Sequence, residues 1–194
     1  MRILTLFAFL IAAAIPTGAF AQARGRQHGP AILYPPPPET LKGLWDAAPV
    51  VLRARIETVG SPLLGPRMLV ERLHGLRVVE LLKGPSDFPK TFRLSLPGGT
   101  VSVDGVEHVT DYERDMVDVG DEALLFLIPM PKTGVYALAF GPAGFFEVSY
   151  VRDPSQPMGS TRLKIPPRAQ RIRELNGRTS IEFQELLRTI RQDK

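Results

Sequence analysis

The 194-residue chain contains no cysteine, and that absence excludes several classes of protein at once. It has no disulfide framework, no thiol nucleophile, and no cysteine to which a lipid could be attached after an export signal. Histidine occurs three times and tryptophan once. No serine stands in the Gly-x-Ser-x-Gly elbow of the α/β-hydrolases, and no glycine-rich phosphate loop is present. The sequence therefore contains no assembled set of acid, base and nucleophile, and it predicts no cofactor.

A strong excess of charge of one sign is also missing. The net charge is +4, whereas nucleic-acid-binding domains present a clustered basic footprint, so we expect no nucleic-acid partner. Hydrophobic residues make up 44% of the chain and charged residues 23%, which is ordinary for a globular protein. The length and composition predict one domain with a buried core.

The first 23 residues have the pattern of an export signal. Arg2 precedes the apolar run Ile3–Ile15, Pro16 ends that run, and Ala19-Phe20-Ala21 matches the small-x-small pattern of a cleavage site. A membrane span needs about 20 apolar residues. The run is shorter than that, which favours removal over anchoring. We therefore predict a periplasmic or secreted protein, with no transmembrane span after cleavage of residues 1–23.

Residues 24–38 are polar and then rich in proline, and they end in Tyr34 followed by four prolines. Such a run favours the extended polyproline conformation, which has no internal hydrogen bonds. We interpret the segment as a disordered linker that separates the cleavage site from a single domain over residues 39–194. A docking ligand for an aromatic groove is the alternative.

Short segments with a period of two dominate the sequence after Pro49. Val50–Glu57 alternates as a half-buried strand does, whereas Glu122–Pro129 is almost entirely apolar and predicts a central strand covered on both faces. Six or more strands of this kind lie between a helix predicted over residues 39–48 and a helix at the end of the chain. The sequence predicts a mainly β fold, a small closed or partly open OB-like β-barrel with a short N-terminal helix and a C-terminal amphipathic helix.

The strongest local signal is the Asp104-Gly105 pair between two β-branched segments. A two-residue Asp-Gly loop favours the tight turn whose twist matches that of paired strands. The register then places Val103 opposite Val106 and Val101 opposite His108.

Three further segments have local signals. Residues 134–140 and 144–151 are predicted to form a hairpin with each other. Residues 168–175 are compatible with either a short helix or a strand. Thr179 and Glu182 match a capping box, which predicts that the last helix begins at Thr179.

The candidate metal ligands are two histidines and three aspartates: His74, His108, Asp111, Asp115 and Asp118. Imidazole suits zinc, and clustered carboxylates suit Ca²⁺. No two histidines have a ligand-type spacing, however, and the alternating acids of a Ca²⁺ loop are absent. A histidine hydrogen-bonded within the core and a solvated acidic loop are the favoured alternatives.

The C-terminal part of the chain is basic, with nine cations over residues 162–194 against four acids. Such a surface can attract an anionic lipid, a cell-wall polymer or an acidic protein by long-range electrostatics. A solubilising surface is the favoured alternative, because no aromatic residues are interleaved as in single-strand binders. The candidate binding residues are Arg168, Arg171, Arg173 and Arg178.

The order of several segments resembles that of uncharacterised exported bacterial proteins. The matching segments are Ala48–Ile56, Val78–Gly84, Leu96–Gly99, Val119–Leu127 and Tyr136–Phe146. Those proteins are similar to the OB-type barrel of netrin-like and metalloproteinase-inhibitor domains. The resemblance covers about Ala48 to Val151 and implies a fold rather than an activity. The metal-chelating N-terminal cysteine of the inhibitors has no counterpart here, so the resemblance does not imply their mechanism.

Three functions are compatible with these observations. The leading hypothesis is an exported, non-enzymatic binding module of the bacterial periplasm or cell envelope, whose partner is a protein or an envelope component. The second is a secreted metal-dependent hydrolase that uses His74, His108 and the acids around Asp111. The third is a module that resembles a protease inhibitor.

Overall fold

The computed structural model describes residues 25–29, 32–65, 68–111, 117–131, 133–151 and 160–192. The predicted export signal lies outside these residues. Two α-helices, α1 (Leu41–Ala47) and α2 (Phe183–Gln192), accompany twelve strands in the described part of the chain. The strands are β1 (Arg26–His28), β2 (Val50–Thr58), β3 (Pro62–Leu64), β4 (Val70–Lys83), β5 (Thr91–Pro97), β6 (Gly99–Val103), β7 (Val106–Thr110), β8 (Glu122–Pro129), β9 (Val135–Leu138), β10 (Phe145–Val151), β11 (Ser160–Lys164) and β12 (Ser180–Glu182). The predicted mainly β fold is confirmed.

Five strands close into a barrel in the order β8–β2–β4–β5–β9–β8. All pairings in this ring are antiparallel except that of β5 with β9, which is parallel. Strand β8 is the junction, because its second edge is divided between two partners. Residues 123–125 pair with β10, and residues 127–129 pair with β9. The sheet therefore continues outward from the barrel through β10, β11 and β12.

The alternation along β8 produces two separate cores. Leu125 and Leu127 point into the barrel, where they pack with apolar residues of β2, β4, β5 and β9. Leu124 and Phe126 point the other way and pack beneath α1, α2 and the strands outside the barrel, β10 to β12. This second cluster is called the outer core below. Burial on both sides explains why Ala123–Leu127 is apolar without alternation, as predicted.

Helix α1 lies within the helix predicted over residues 39–48. The hydroxyl of Thr40 accepts a hydrogen bond from the backbone N–H of Gly43 (3.0 Å), which is a normal N-cap contact. Leu41 and Leu44 are fully buried in the outer core, which fixes the buried face of this short helix. Within the described residues, no helix is both long and apolar enough to cross a membrane.

The start of the last helix differs from the prediction. Thr179 does not cap it, because residues 180–182 form β12 and pair with β11, and α2 begins at Phe183. Burial of Ile181 in the outer core favours this extended segment. The carboxylate of Glu185 instead accepts a hydrogen bond from the backbone N–H of Glu182.

The hairpin predicted at Asp104-Gly105 is confirmed. Val103 pairs with Val106 and Val101 pairs with His108. Both turn residues have positive φ, at 50° and 79°, as a type I′ turn requires. Strand β1 pairs in parallel with β7, so the hairpin becomes a three-stranded sheet beside the barrel.

Two predictions about connections differ from the structure. The segments 134–140 and 144–151 do not pair with each other in the described residues, because both lie along the same edge of β8. Positive φ at Phe140 and Gly141 turns the chain between them.

The segment assigned to a disordered linker also differs from that prediction where the structure describes it. Residues 26–28 form a paired strand, and residues 32–38 form an extended segment packed on the domain. Residues 168–175 form two 3₁₀ turns.

Candidate functional site

The extended segment of residues 32–38, called the strap below, lies across the barrel. Its contact with the domain depends on Tyr34, whose ring packs directly on Gly141. A Cβ atom at Gly141 would lie 2.3 Å from that ring, so this position requires glycine. The guanidinium of Arg168 lies 5.4 Å from the centre of the same ring, within cation–π range. Tyr34 therefore connects the strap to the domain at both Gly141 and Arg168.

A partly open cleft of about 170 Å³ separates the strap from the barrel. Its walls come from the strap, β4, β5 and β9, and most of its surface is apolar. The polar exceptions include Glu71 of β4 and Ser95 of β5, which are diagonal neighbours, because Glu71 pairs with Pro97 and Ser95 pairs with Leu73. The Ser95 hydroxyl donates a hydrogen bond to Oε2 of Glu71 (2.7 Å), and Ser95 is almost fully buried.

A second and larger groove of about 440 Å³ lies between α1, α2 and the end of β4. Its floor is aromatic and aliphatic, and its rim is charged. The Nζ atom of Lys83 donates to the carbonyls of Trp45 (2.6 Å) and Asp46 (3.2 Å), and it lies 5.9 Å from the Trp45 ring centre. These contacts hold the indole beside the groove. The lining residues are Lys42, Trp45, Asp46, Leu82, Leu187, Ile190 and Arg191.

A buried carboxylate lies on the outer face of the sheet, at the start of β8. The side chain of Glu122 is 5% exposed, and it accepts hydrogen bonds from Nε (3.1 Å) and Nη2 (2.5 Å) of Arg55 and from the Tyr150 hydroxyl. Burial alone would raise the pKa of Glu122. The hydrogen bonds from Tyr150 and Arg55 and the positive charge of Arg55 outweigh burial and hold that pKa below its ordinary value.

This cluster is suited to stability rather than to catalysis. The hydrogen bond to the Glu122 carboxylate, followed by burial, raises the pKa of Tyr150, so its phenol stays protonated at neutral pH. A nucleophile or base would need the opposite shift. Glu122 was not among the candidate residues predicted from the sequence, although a lone acid at the start of an otherwise apolar strand signals a buried ion pair.

The predicted metal ligands lie on different elements. His74 is in β4 of the barrel, and His108 is in β7 of the small sheet; both are buried. The carboxylate of Asp111 is 87% exposed, and the backbone N–H of Asp118 donates to Asp121 (2.9 Å). Asp115 lies outside the described residues. Among the residues that are described, no three His, Asp or Glu side chains are placed to hold a metal ion.

His74 is the more unusual of the two histidines. It is 3% exposed, and its buried Nδ1 atom has no hydrogen-bond partner among the described residues. Burial, followed by repulsion from Arg72, lowers the pKa of His74, so the neutral ring is the form that the fold favours.

The four candidate binding arginines are partly used within the chain. Arg178 forms a bidentate pair with Glu185 (2.7 and 2.9 Å), and Arg173 lies 3.1 Å from Glu174. Arg168 contacts Tyr34, as described above, whereas Arg171 is exposed. The pair of Arg178 with Glu185 lowers the pKa of the carboxylate, and this pair joins the segment that follows the last 3₁₀ turn to α2. Only part of this basic surface is therefore available to a partner.

No protein-family model matches the chain, and a search of curated proteins finds no similar sequence. The site must therefore be argued from its own residues.

Proposed function

We propose that the protein is an exported, non-enzymatic binding module of the bacterial periplasm or cell envelope and that its barrel is of the OB type. The order of the five strands around the barrel supports the assignment to the OB type. With β2, β4, β5, β8 and β9 numbered one to five, the closed order is 1-2-3-5-4-1. Strands three and five are parallel, and this arrangement is typical of the five-stranded OB barrel.

The groove between α1 and α2 is the observation that supports binding of a protein partner. Interface centres are rich in aromatic side chains with aliphatic neighbours, and charged groups surround them at the rim. Trp45 supplies the aromatic group, Leu187 and Ile190 supply the floor, and Lys42 and Arg191 lie at the rim. The groove is built on two packed helices, so it is formed before a partner arrives.

Site-specific photocrosslinking tests this function. A photoreactive residue at Arg191 lies at the groove, one at Arg171 lies on the basic surface, and one at Asp104 lies on the hairpin turn. We expect a discrete protein adduct from position 191 in cells that export the protein, and none from position 104. Trp45→Ala should remove that adduct while thermal unfolding shows a folded barrel.

Other adduct patterns have a definite meaning. An adduct only at position 171 would assign binding to the basic surface instead of the groove. The absence of a discrete adduct at both positions would contradict a protein-binding function.

A further inference from the structure

The cleft beneath the strap has an unusual combination of properties, namely an apolar lining and a carboxylate. Glu71 reaches it from β4, at the position that pairs with Pro97 of β5. Leu69, Leu96, Leu138 and Met130 are among its other lining residues. This cleft is separate from the α1–α2 groove, since the two share no lining residue. An inference about the cleft therefore does not depend on the proposed function.

The charge of Glu71 has no counter-ion among the described residues. Its Oε2 atom accepts from the neutral Ser95 hydroxyl, and no described cation lies within ion-pair distance of the carboxylate. Glu122 shows the contrast, because its buried carboxylate is bonded to the guanidinium of Arg55. A carboxylate that borders an apolar space gains most from a positively charged donor. A cation bound in the cleft would supply the charged partner that no described residue provides.

The dimensions of the cleft limit the size of that cation. A cavity of about 150 Å³ is large enough for benzene, which has six heavy atoms. The cleft, at about 170 Å³, is of that size. Its apolar walls suit a hydrocarbon chain. Ser95 donates to Oε2 of Glu71, and no described group donates a hydrogen bond to Oε1, which lies beside Gly65. A compact ammonium at the end of a chain of four or five carbons meets both requirements.

We propose that this cleft binds a primary alkylammonium group, with Glu71 as its counter-ion and the leucines and Met130 in contact with its carbons. The group can belong to a free amine or to a lysine side chain of another protein. The chemistry is shared, and the test below separates the two sources.

Titration of the purified protein with n-pentylammonium chloride, followed by amide chemical shifts, tests the proposal. We expect saturable shifts centred on Ser95 and Ala137, and binding of n-pentanol or pentanoate at least tenfold weaker. Glu71→Gln should weaken ammonium binding at least tenfold. The matched control is Glu80→Gln, on the same strand but outside the cleft, which should leave binding unchanged.

Ala137→Leu provides a second variant, which retains Glu71 but fills the cleft, and it should abolish binding. Nα-acetyl-lysine methylamide separates the sources. Binding at least as tight as that of pentylammonium supports a lysine side chain, and much weaker binding supports a free amine. The proposal is overturned if pentanol binds as well as the ammonium, if Glu71→Gln retains binding, or if no saturable shifts occur in the cleft.

Discussion

His74 should make the barrel sensitive to mild acid, and its replacement by leucine should reduce that sensitivity. The imidazole is almost fully buried, opposite Leu94 of the neighbouring strand, and its Nδ1 atom has no partner in the described structure. An unsatisfied buried polar atom costs about 1–3 kcal/mol. Leucine has a similar volume and no polar atom. His74→Leu should therefore raise the free energy of unfolding at pH 8 by about 1 kcal/mol.

The dependence on pH follows from the direction of the shift. Burial and then Arg72 lower the pKa of His74 in the folded state. The unfolded chain has a histidine pKa of about 6.5 and binds the proton first as the pH falls. The contribution of His74 to the free energy of unfolding therefore does not change with pH above about pH 6.5. Below that pH the free energy of unfolding decreases, until the ring in the folded state also becomes protonated. For one site the slope cannot exceed about 1.4 kcal/mol per pH unit.

Urea unfolding followed by circular dichroism between pH 8 and pH 5 measures both effects. The wild type should lose stability below pH 6.5, and His74→Leu should lose less. The matched control is His28→Gln, which changes an exposed histidine and should keep the wild-type slope. Equal slopes for the wild type and His74→Leu, or a lower stability of His74→Leu at pH 8, would contradict the role assigned to His74.

Three further predictions concern the outer core, the strap and the last helix. Phe126→Ala should lower the free energy of unfolding in urea by about 3–5 kcal/mol, because the ring is fully buried. Gly141→Ala should destabilise the domain by displacing Tyr34, and adding Tyr34→Ala should recover part of the loss in a double-mutant cycle. Glu185→Gln should cost about 0.5 kcal/mol at pH 7, because its pair with Arg178 is more than one-third exposed. The difference in unfolding free energy between the wild type and Glu185→Gln should disappear as the pH falls through the lowered pKa of Glu185. Urea unfolding of both proteins at a series of acidic pH values measures this difference.

The parts of the fold that could be predicted are those that local chemistry determines. The Asp104-Gly105 turn specified its own register, because few residue pairs tolerate positive φ at two successive positions. The apolar run of β8 likewise required burial on both faces. In contrast, Thr179 and Glu182 satisfied the pattern of a helix start. Pairing of β12 with β11 nevertheless kept these residues extended, since tertiary contacts outweigh a capping preference of about 1 kcal/mol.

The candidate site was beyond prediction for a different reason. Glu71 and Glu80 are the two acids of β4 and have similar polar and apolar neighbours in the sequence, and Ser95 resembles any strand serine, so neither Glu71 nor Ser95 differs locally from a surface residue. They acquire a shared environment only because β9 closes the barrel beside β5 and the strap lies over that face. Proline content predicted an extended conformation in a disordered linker, but not the packing of the Tyr34 ring on Gly141. Glu71 differs from a surface acid through the apolar walls that the fold places beside it, and those walls depend on contacts between residues far apart in the sequence, such as Tyr34 with Gly141.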